Sequence, residues 1–189
     1  MDVVQELRDA SALFESRLRM VTAAGWSHAT PCEEWDVRAL VNHVVGGQLV
    51  VPELLAGRPF PEVLPMLQSD HLGPDPLSAF QGATAAAIDA FAAPGALDRA
   101  VHHPAGEIDG AGYAGFRVRD LTIHAWDLAR AVGGDEALPG ALVETVLASM
   151  EPMRPFIGSV GVFGHGPSAD LPPDADAQTR LLDLAGRHP

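Results

Sequence analysis

Hydrophobic residues recur at helical spacing in several segments of this chain, and charged residues fill the positions between them. In residues 2–23, apolar side chains return every three or four positions, as is typical of an amphipathic helix. Asp36 has the character of an N-cap for a second helix, which we expect to run to about Ala56. Further helices are predicted over residues 76–92, 116–132, 140–154 and 179–185.

Glycine and proline concentrate between these helices. Residues 57–78 predict a loop with about one turn of helix, and residues 94–114 predict a loop or short hairpin. Short strands fit within residues 100–115 and 156–165. Four or five amphipathic helices joined by loops predict a mainly α fold, a helical bundle with an extra C-terminal helix and short irregular or strand segments.

Length and composition suit one domain. Hydrophobic residues make up 47% of the 189 residues, enough for a full core, and alanine-rich stretches with few aromatic residues favour helices. We therefore expect a single domain over residues 1–189, with a bundle core over about 1–154 and an extension over 155–189.

The charge balance argues against some classes of partner. The chain has 25 acidic and 12 basic residues, a formal net charge of -13, so we expect neither nucleic acid nor an anionic membrane surface as a partner. The N-terminus is too charged for a signal peptide, and no apolar run approaches the roughly 20 residues that span a bilayer, so we expect a cytoplasmic protein. The single cysteine, Cys32, excludes an intrachain disulfide and a cysteine-rich zinc site.

Two predicted helices carry metal-ligand types on faces that are otherwise apolar. Asp120 and His124 are four residues apart and therefore lie one turn apart on one helical face, and His43 shares a stripe with Leu40 and Gly47. A buried carboxylate and imidazole need partners, because an unpaired charge in a core is costly. If the two helices are neighbours, the three side chains converge on one divalent metal with open coordination positions, as in catalytic sites. The spacing alone also permits a local hydrogen-bonded pair and a satisfied core histidine.

Two longer motifs surround these residues. Residues 30–47 read TPCEEWDVRALVNHVVGG and contain the pattern TPCxxWxVxxLxxHxxGG, and residues 120–133 read DLTIHAWDLARAVG and contain E/DxxxHxWDLAxAxG. Both motifs resemble signatures of actinobacterial metal-binding proteins in the DinB-like superfamily, which are similar to the N-terminal domain of mycothiol-dependent maleylpyruvate isomerase. Residues 186–189 also resemble the usual ending of this subfamily.

The resemblance implies a DinB-like four-helix bundle with a metal bound by His43, Asp120 and His124. Two imidazoles and a carboxylate accept zinc, which we expect, or nickel or ferrous iron. The resemblance also implies that mycothiol, or a similar thiol, attacks a small electrophilic substrate. We therefore expect a metal-dependent thiol transferase or isomerase-like enzyme. The alternatives are a non-enzymatic, metal-dependent small-ligand binding or regulatory protein and a metal-free helical dimerisation domain.

Two departures separate the chain from the isomerase. Asp120 stands where the isomerase has glutamate, and its side chain is one methylene shorter. The isomerase also has an additional C-terminal domain that contributes to its active site, and this chain is too short to hold one, so the isomerase's specific activity is not transferred. The oligomeric state stays open, a homodimer included.

Cysteine and tryptophan residues near these motifs have two interpretations each. Cys32 can be a nucleophile near a helix start or a small buried side chain, and we favour burial. Trp35 and Trp126 are expected to pack against the bundle rather than line a pocket mouth.

Four polar residues nearby are also ambiguous. Asp127 and Arg130 can orient a substrate, but we favour a surface ion pair. His102 and His103 can approach the site, but we expect exposed loop histidines.

Overall fold

The computed structural model is mainly helical, as predicted, with one two-stranded sheet among the described residues. It describes residues 2–33, 35–103, 106–160, 166–168, 170–172 and 174–187, except for the side chains of 158–160. The helices run Val3–Leu18 (α1), Val37–Leu49 (α2), Val51–Leu55 (α3), Phe60–Leu67 (α4), Pro76–Ala92 (α5), Gly110–Val132 (α6), Gly140–Met150 (α7), Arg154–Val160 (α8) and Ala177–Leu184 (α9). The strands Ala100–His103 (β1) and Gly106–Asp109 (β2) pair as an antiparallel hairpin.

Aspartate side chains cap the N-termini of five described helices, including the four longest, α1, α2, α5 and α6. The Asp36 carboxylate accepts a hydrogen bond from the backbone N–H of Ala39 at 2.8 Å, so α2 begins where the sequence predicted it. The same kind of N-cap begins α1, α5, α6 and α9, at Asp2, Asp75, Asp109 and Asp176. These caps satisfy backbone N–H groups that have no partner within the first helical turn.

Helices α1, α2, α5 and α6 form the bundle. Helix α1 packs against α5 and α6, and α2 packs against the same two helices, so the four close around one core. Among its fully buried large side chains are Phe14, Leu40, Phe80 and Leu121. Helix α7 covers α6, and α9 packs on α7. Because α2 and α6 are neighbours, residues on their facing sides can share one site.

Residues 57–78 contain a regular helix, α4 over Phe60–Leu67, where the sequence predicted a loop with about one turn. Pro61 lies in its first turn, where a missing N–H costs little, and Pro65 lies inside it. The proline and glycine content of residues 57–78 was the reason for predicting a loop. Burial of Val63 supplies the packing that compensates for the weak local preference.

The helix predicted to run to about Ala56 is divided between Leu49 and Val51. Pro52 lacks the N–H that an uninterrupted helix needs there. Helix α6 begins at Gly110 rather than near residue 116, because Asp109 at the end of the hairpin caps it.

Other predicted ends are also displaced. Helix α1 ends at Leu18 rather than near residue 23, and α7 ends at Met150 before a short 3-10 turn. The prediction of a short strand within residues 156–165 is wrong for residues 156–160, which belong to α8. Residues 161–165 lie outside the described residues.

In the described part of the chain, the helices are too short or too polar to cross a membrane.

Candidate metal centre

The packing of α2 against α6 brings His43, Asp120 and His124 together. His43 Nε2 lies 3.3 Å from Asp120 Oδ1, and His124 Nε2 lies 3.5 Å from the same oxygen. A ligand atom from each of the three residues lies within 4.8 Å of the other two. Ligands at about 2.1 Å from a tetrahedral cation are about 3.4 Å apart, so this spacing fits one small divalent ion.

The site is open on the side of His43. The exposed fraction of the side chain falls from 37% for His43 to 23% for Asp120 and 10% for His124. The half-buried Trp35 lines this side, with its ring centroid 4.7 Å from that of His43 and 6.0 Å from that of His124. Trp35 therefore borders the site, whereas Trp126 packs in the interior at 1% exposure. A groove of about 440 Å³ between the start of α1 and the end of α5 contains none of these residues.

A buried arginine forms an ion pair with the other oxygen of Asp120. Arg117 Nη1 lies 3.1 Å from Asp120 Oδ2, and Arg117 Nε donates to Gln48 Oε1 at 3.1 Å. A Cβ atom on Gly47 would lie 2.5 Å from Arg117 Nη1. The guanidinium thus fills the space that the missing side chain of Gly47 leaves on α2.

The electrostatics keep Asp120 ionised. Burial alone raises the pKa of this carboxyl, but the positive charges of Arg117, His124 and His43 outweigh burial and hold the pKa well below its usual value. For His124, burial lowers the pKa, but Asp120, Asp127 and a contact with Cys32 outweigh it and raise the pKa well above its usual value. A bound cation would replace the proton that these acids hold on the imidazole.

Asp127 lies at the other ring nitrogen of His124. Its Oδ2 accepts a hydrogen bond from His124 Nδ1 at 2.9 Å, and Arg187 donates to both of its oxygens, at 2.9 and 2.7 Å. Burial raises the pKa of Asp127, but the hydrogen bonds from Arg187 and His124 lower it to about 2. The expectation of a surface ion pair is wrong for Asp127, which has no exposed surface, and right for Arg130, which pairs with Glu136 at 3.0 Å.

Cys32 is half-buried among polar groups rather than a small apolar side chain in the core. Its thiol donates to Asp127 Oδ2 at 3.2 Å and accepts from Arg187 Nη2 at 3.1 Å. Cys32, Asp127 and His124 form a second cluster of ligand types. Both oxygens of Asp127 already accept hydrogen bonds from Arg187, so the set of His43, Asp120 and His124 fits a metal better.

The two adjacent histidines lie on β1 and not in a loop. His102 is exposed, with Nδ1 3.8 Å from Glu107 Oε2. His103 stacks on Phe116 with ring centroids 4.7 Å apart. Burial, followed by the charges of nearby arginines, lowers the pKa of His103.

Sequence reasoning missed three residues that support the site, Gln48, Arg117 and Arg187. Arg117 stands three residues before Asp120, a spacing that permits an ion pair along a helix and could have indicated its role. Arg187 lies within residues 186–189, which resemble the usual ending of the subfamily. No spacing rule along the sequence relates it to Asp127, which is 60 positions earlier.

Known proteins resemble this chain in sequence and in fold. Residues 7–129 match the sequence model of the mycothiol maleylpyruvate isomerase N-terminal domain. Two uncharacterized proteins from two strains of Mycobacterium tuberculosis are each 35% identical to it over 150 residues, 79% of this chain and 78% of each relative. Crystal structures of mycothiol-dependent maleylpyruvate isomerase and of a mutant share the fold, with TM-scores of 0.63 and 0.65, identities of 16% and 15%, and coverage of 83% of this chain and 70% of theirs. The chain therefore belongs to the mycothiol maleylpyruvate isomerase N-terminal domain family.

Proposed function

We propose that this protein binds a divalent metal through His43, Asp120 and His124. One observation carries the proposal: imidazole nitrogens from two helices lie 3.3 and 3.5 Å from the same carboxylate oxygen. A structural hydrogen bond needs only one of these imidazoles. Moreover, Arg117 forms an ion pair with the second oxygen of Asp120, and Asp127 accepts a hydrogen bond from Nδ1 of His124, so each of these two residues has a charged partner behind it.

The ligand set favours zinc. Two imidazoles and one carboxylate with an open side are typical of catalytic zinc sites, and nickel and ferrous iron accept the same ligands. Each of these metals would be bound by one imidazole nitrogen from His43, one from His124 and the carboxylate of Asp120.

We propose further that the protein is a metal-dependent thiol transferase or isomerase that uses a mycothiol-type thiol and a small electrophile. The chain belongs to the mycothiol maleylpyruvate isomerase N-terminal domain family, and this membership supports the use of a mycothiol-type thiol. When bound, the metal would lower the pKa of a coordinating thiol and so make a nucleophile at neutral pH. His43 and Trp35 border the exposed side, where small molecules can reach the ligands.

The extension is proposed to belong to the same domain as the bundle. Helix α9 packs on α7, and Arg187 bonds to Asp127 inside the bundle. Residues 1–189 would then act as one unit.

A metal-dependent small-ligand binding or regulatory protein is the second candidate. The ring of Trp35 lies against both histidines and narrows the space for a substrate beside the ligands. This arrangement also suits a site that binds without turnover.

Metal analysis of purified wild type, His43→Ala, His124→Ala and His102→Ala tests the metal assignment. We expect about one metal ion per chain in wild type and in His102→Ala, whose histidine is exposed on β1, and little metal in the other two variants. Equal metal content in all four folded proteins would contradict the assignment.

The proposed activity has its own test. Metal-loaded protein is incubated with mycothiol and a panel of electrophiles. The amount of adduct is compared with the amount that metal-free protein forms under the same conditions. Product that depends on the metal supports the enzyme. A metal-loaded protein that forms no product above the control supports the second candidate.

A further inference from the structure

The segment comprising α9 and residues 185–187, called the latch segment below, ends in a tight turn. Gly186 adopts a left-handed conformation with φ of 71°, which favours glycine. Its N–H donates to the carbonyl of Asp183 at 2.8 Å, and the N–H of Arg187 donates to the carbonyl of Leu182 at 2.8 Å. This is the hydrogen-bond pattern of a Schellman motif, and it turns the chain back towards the bundle.

The turn buries the guanidinium of Arg187, which is 7% exposed. Nε and Nη2 donate to the two oxygens of Asp127, at 2.9 and 2.7 Å, in a bidentate pair. Nη2 also contacts the sulfur of Cys32 at 3.1 Å, and Nη1 donates to the carbonyl of Ala185 at 2.8 Å. These two parallel hydrogen bonds from the forked guanidinium therefore fix the plane of the Asp127 carboxylate.

Asp127 in turn fixes the ring of His124. Its Oδ2 accepts from Nδ1 at 2.9 Å, which leaves Nε2 directed at Asp120. A carboxylate that holds the second nitrogen of a histidine ligand sets both its tautomer and its orientation. Without the guanidinium, the Asp127 carboxylate could rotate, and the imidazole would lose its fixed direction.

We infer that Arg187 is a positioning residue for the metal ligand His124, that it acts through Asp127, and that the latch segment completes the metal centre without supplying a ligand. The inference rests on the proposed metal binding. It extends the site to a part of the chain outside residues 7–129, which the family model matches.

A double-mutant cycle tests this inference. Zinc affinity is measured by chelator competition in wild type, Arg187→Ala, Asp127→Asn and the double variant. We expect each single variant to bind zinc roughly ten- to a hundred-fold more weakly. If Arg187 acts through Asp127, the double variant is no weaker than Asp127→Asn. Wild-type affinity in Arg187→Ala, or losses that multiply in the double variant, would overturn the inference.

Two further variants separate positioning from general stability. Arg180→Ala removes the same charge from α9, where Arg180 is half-exposed and pairs with Glu151 at 3.1 Å, and it should leave zinc affinity unchanged. Arg187→Lys keeps the buried cation but not the fork, so its affinity should lie between those of wild type and Arg187→Ala. An affinity loss in Arg180→Ala equal to that in Arg187→Ala would reduce the latch segment to a stabilising role and refute the inference.

Failure of the proposed function is recognised separately. If wild type binds no metal, the metal assignment fails, and crystal structures of metal-free wild type and Arg187→Lys decide the positioning role. Displacement of the His124 ring from Asp127 in the variant supports that role. An unchanged ring, with Nδ1 still within hydrogen-bond distance of Asp127, refutes it.

Discussion

At the scale of single residues, Gly47 and Arg117 show how residues that are not proposed metal ligands can shape the candidate site. The absence of a side chain at Gly47 leaves a space on α2, and the guanidinium of Arg117 from α6 occupies it. From there Arg117 contacts Asp120 and Gln48. The glycine thus determines whether the Asp120 carboxylate has a buried cation behind it.

We expect Gly47→Ala to destabilise the fold and weaken metal binding. The new Cβ would lie 2.5 Å from Arg117 Nη1, so this buried guanidinium must shift from its place beside Asp120 and Gln48, at a cost of about 1–3 kcal/mol. Denaturant unfolding measures the loss. Gly82→Ala on α5 is the control, because open space surrounds Gly82 and alanine there should stabilise the helix by up to about 1 kcal/mol. Equal effects of the two substitutions would contradict the steric explanation.

Tyr113 is the one tyrosine of the chain, and the burial of its phenol changes its pKa. Burial raises the pKa of Tyr113 to about 12, whereas an exposed tyrosine has a pKa of about 10. Between these values the unfolded chain loses a proton that the folded chain keeps. Stability contributed by Tyr113, about 3 kcal/mol, is therefore full below pH ~10 and is lost as the pH rises towards ~12.

Tyrosinate absorbance after a rapid pH jump measures this pKa before alkaline unfolding. We expect a midpoint about two pH units above that of the denatured chain. Tyr113→Phe should remove the absorbance change and, relative to wild type, the corresponding loss of stability. Coincident midpoints in the folded and denatured chains would contradict the buried environment of the phenol.

At the scale of elements, α6 carries Arg117, Asp120, His124 and Asp127 on one stripe, at intervals of three and four residues. Within the same helix, the stripe gives the proposed ligand Asp120 a cationic partner and the proposed ligand His124 a carboxylate partner. Only His43 must come from another helix. The regularity of α6 is therefore a condition for the site.

Removal of the N-cap of α6 should affect stability more than metal affinity. Asp109 accepts a hydrogen bond from the N–H of Gly112 at 2.7 Å, so Asp109→Ala should cost about 1 kcal/mol. The ligand set lies further along α6 and should bind zinc as before. Asp89→Ala removes an equal charge from an exposed position on α5 and should change stability by less than about 0.5 kcal/mol. A large affinity loss in Asp109→Ala would show that the helix start controls the site.

At the scale of the whole molecule, a metal would join α2 to α6 across the bundle. The Arg187–Asp127 pair joins the latch segment to the same helix. A ligand that binds the folded chain and not the unfolded chain stabilises the fold by mass action. The site should therefore couple metal binding to global stability.

We expect zinc to raise the melting temperature of wild type and a chelator to reverse the rise. At a free zinc concentration a thousand times the dissociation constant, the gain is about 4 kcal/mol. His43→Ala should show no comparable shift, while His102→Ala should behave as wild type. A shift that survives in His43→Ala would place the metal elsewhere.

The amino-acid sequence alone predicted most of the helices. It also predicted that two of the three proposed ligands, Asp120 and His124, share one helical face. Helical periods, the Asp36 cap and the four-residue spacing of Asp120 and His124 all depend on near neighbours, whose geometry a helix imposes locally. Predictions failed where local signals conflicted with packing. The prolines of α4 indicated a loop, and the glycines at the start of α6 concealed its true beginning.

Only the tertiary structure decided which distant residues meet. His43 and Asp120 are 77 positions apart, and Asp127 and Arg187 are 60 positions apart, so no local rule relates them. The burial of Asp127 depends on how α9 and its terminal turn pack against the bundle. Long-range contacts follow from the shape of the packed core, which a pattern along one chain does not contain.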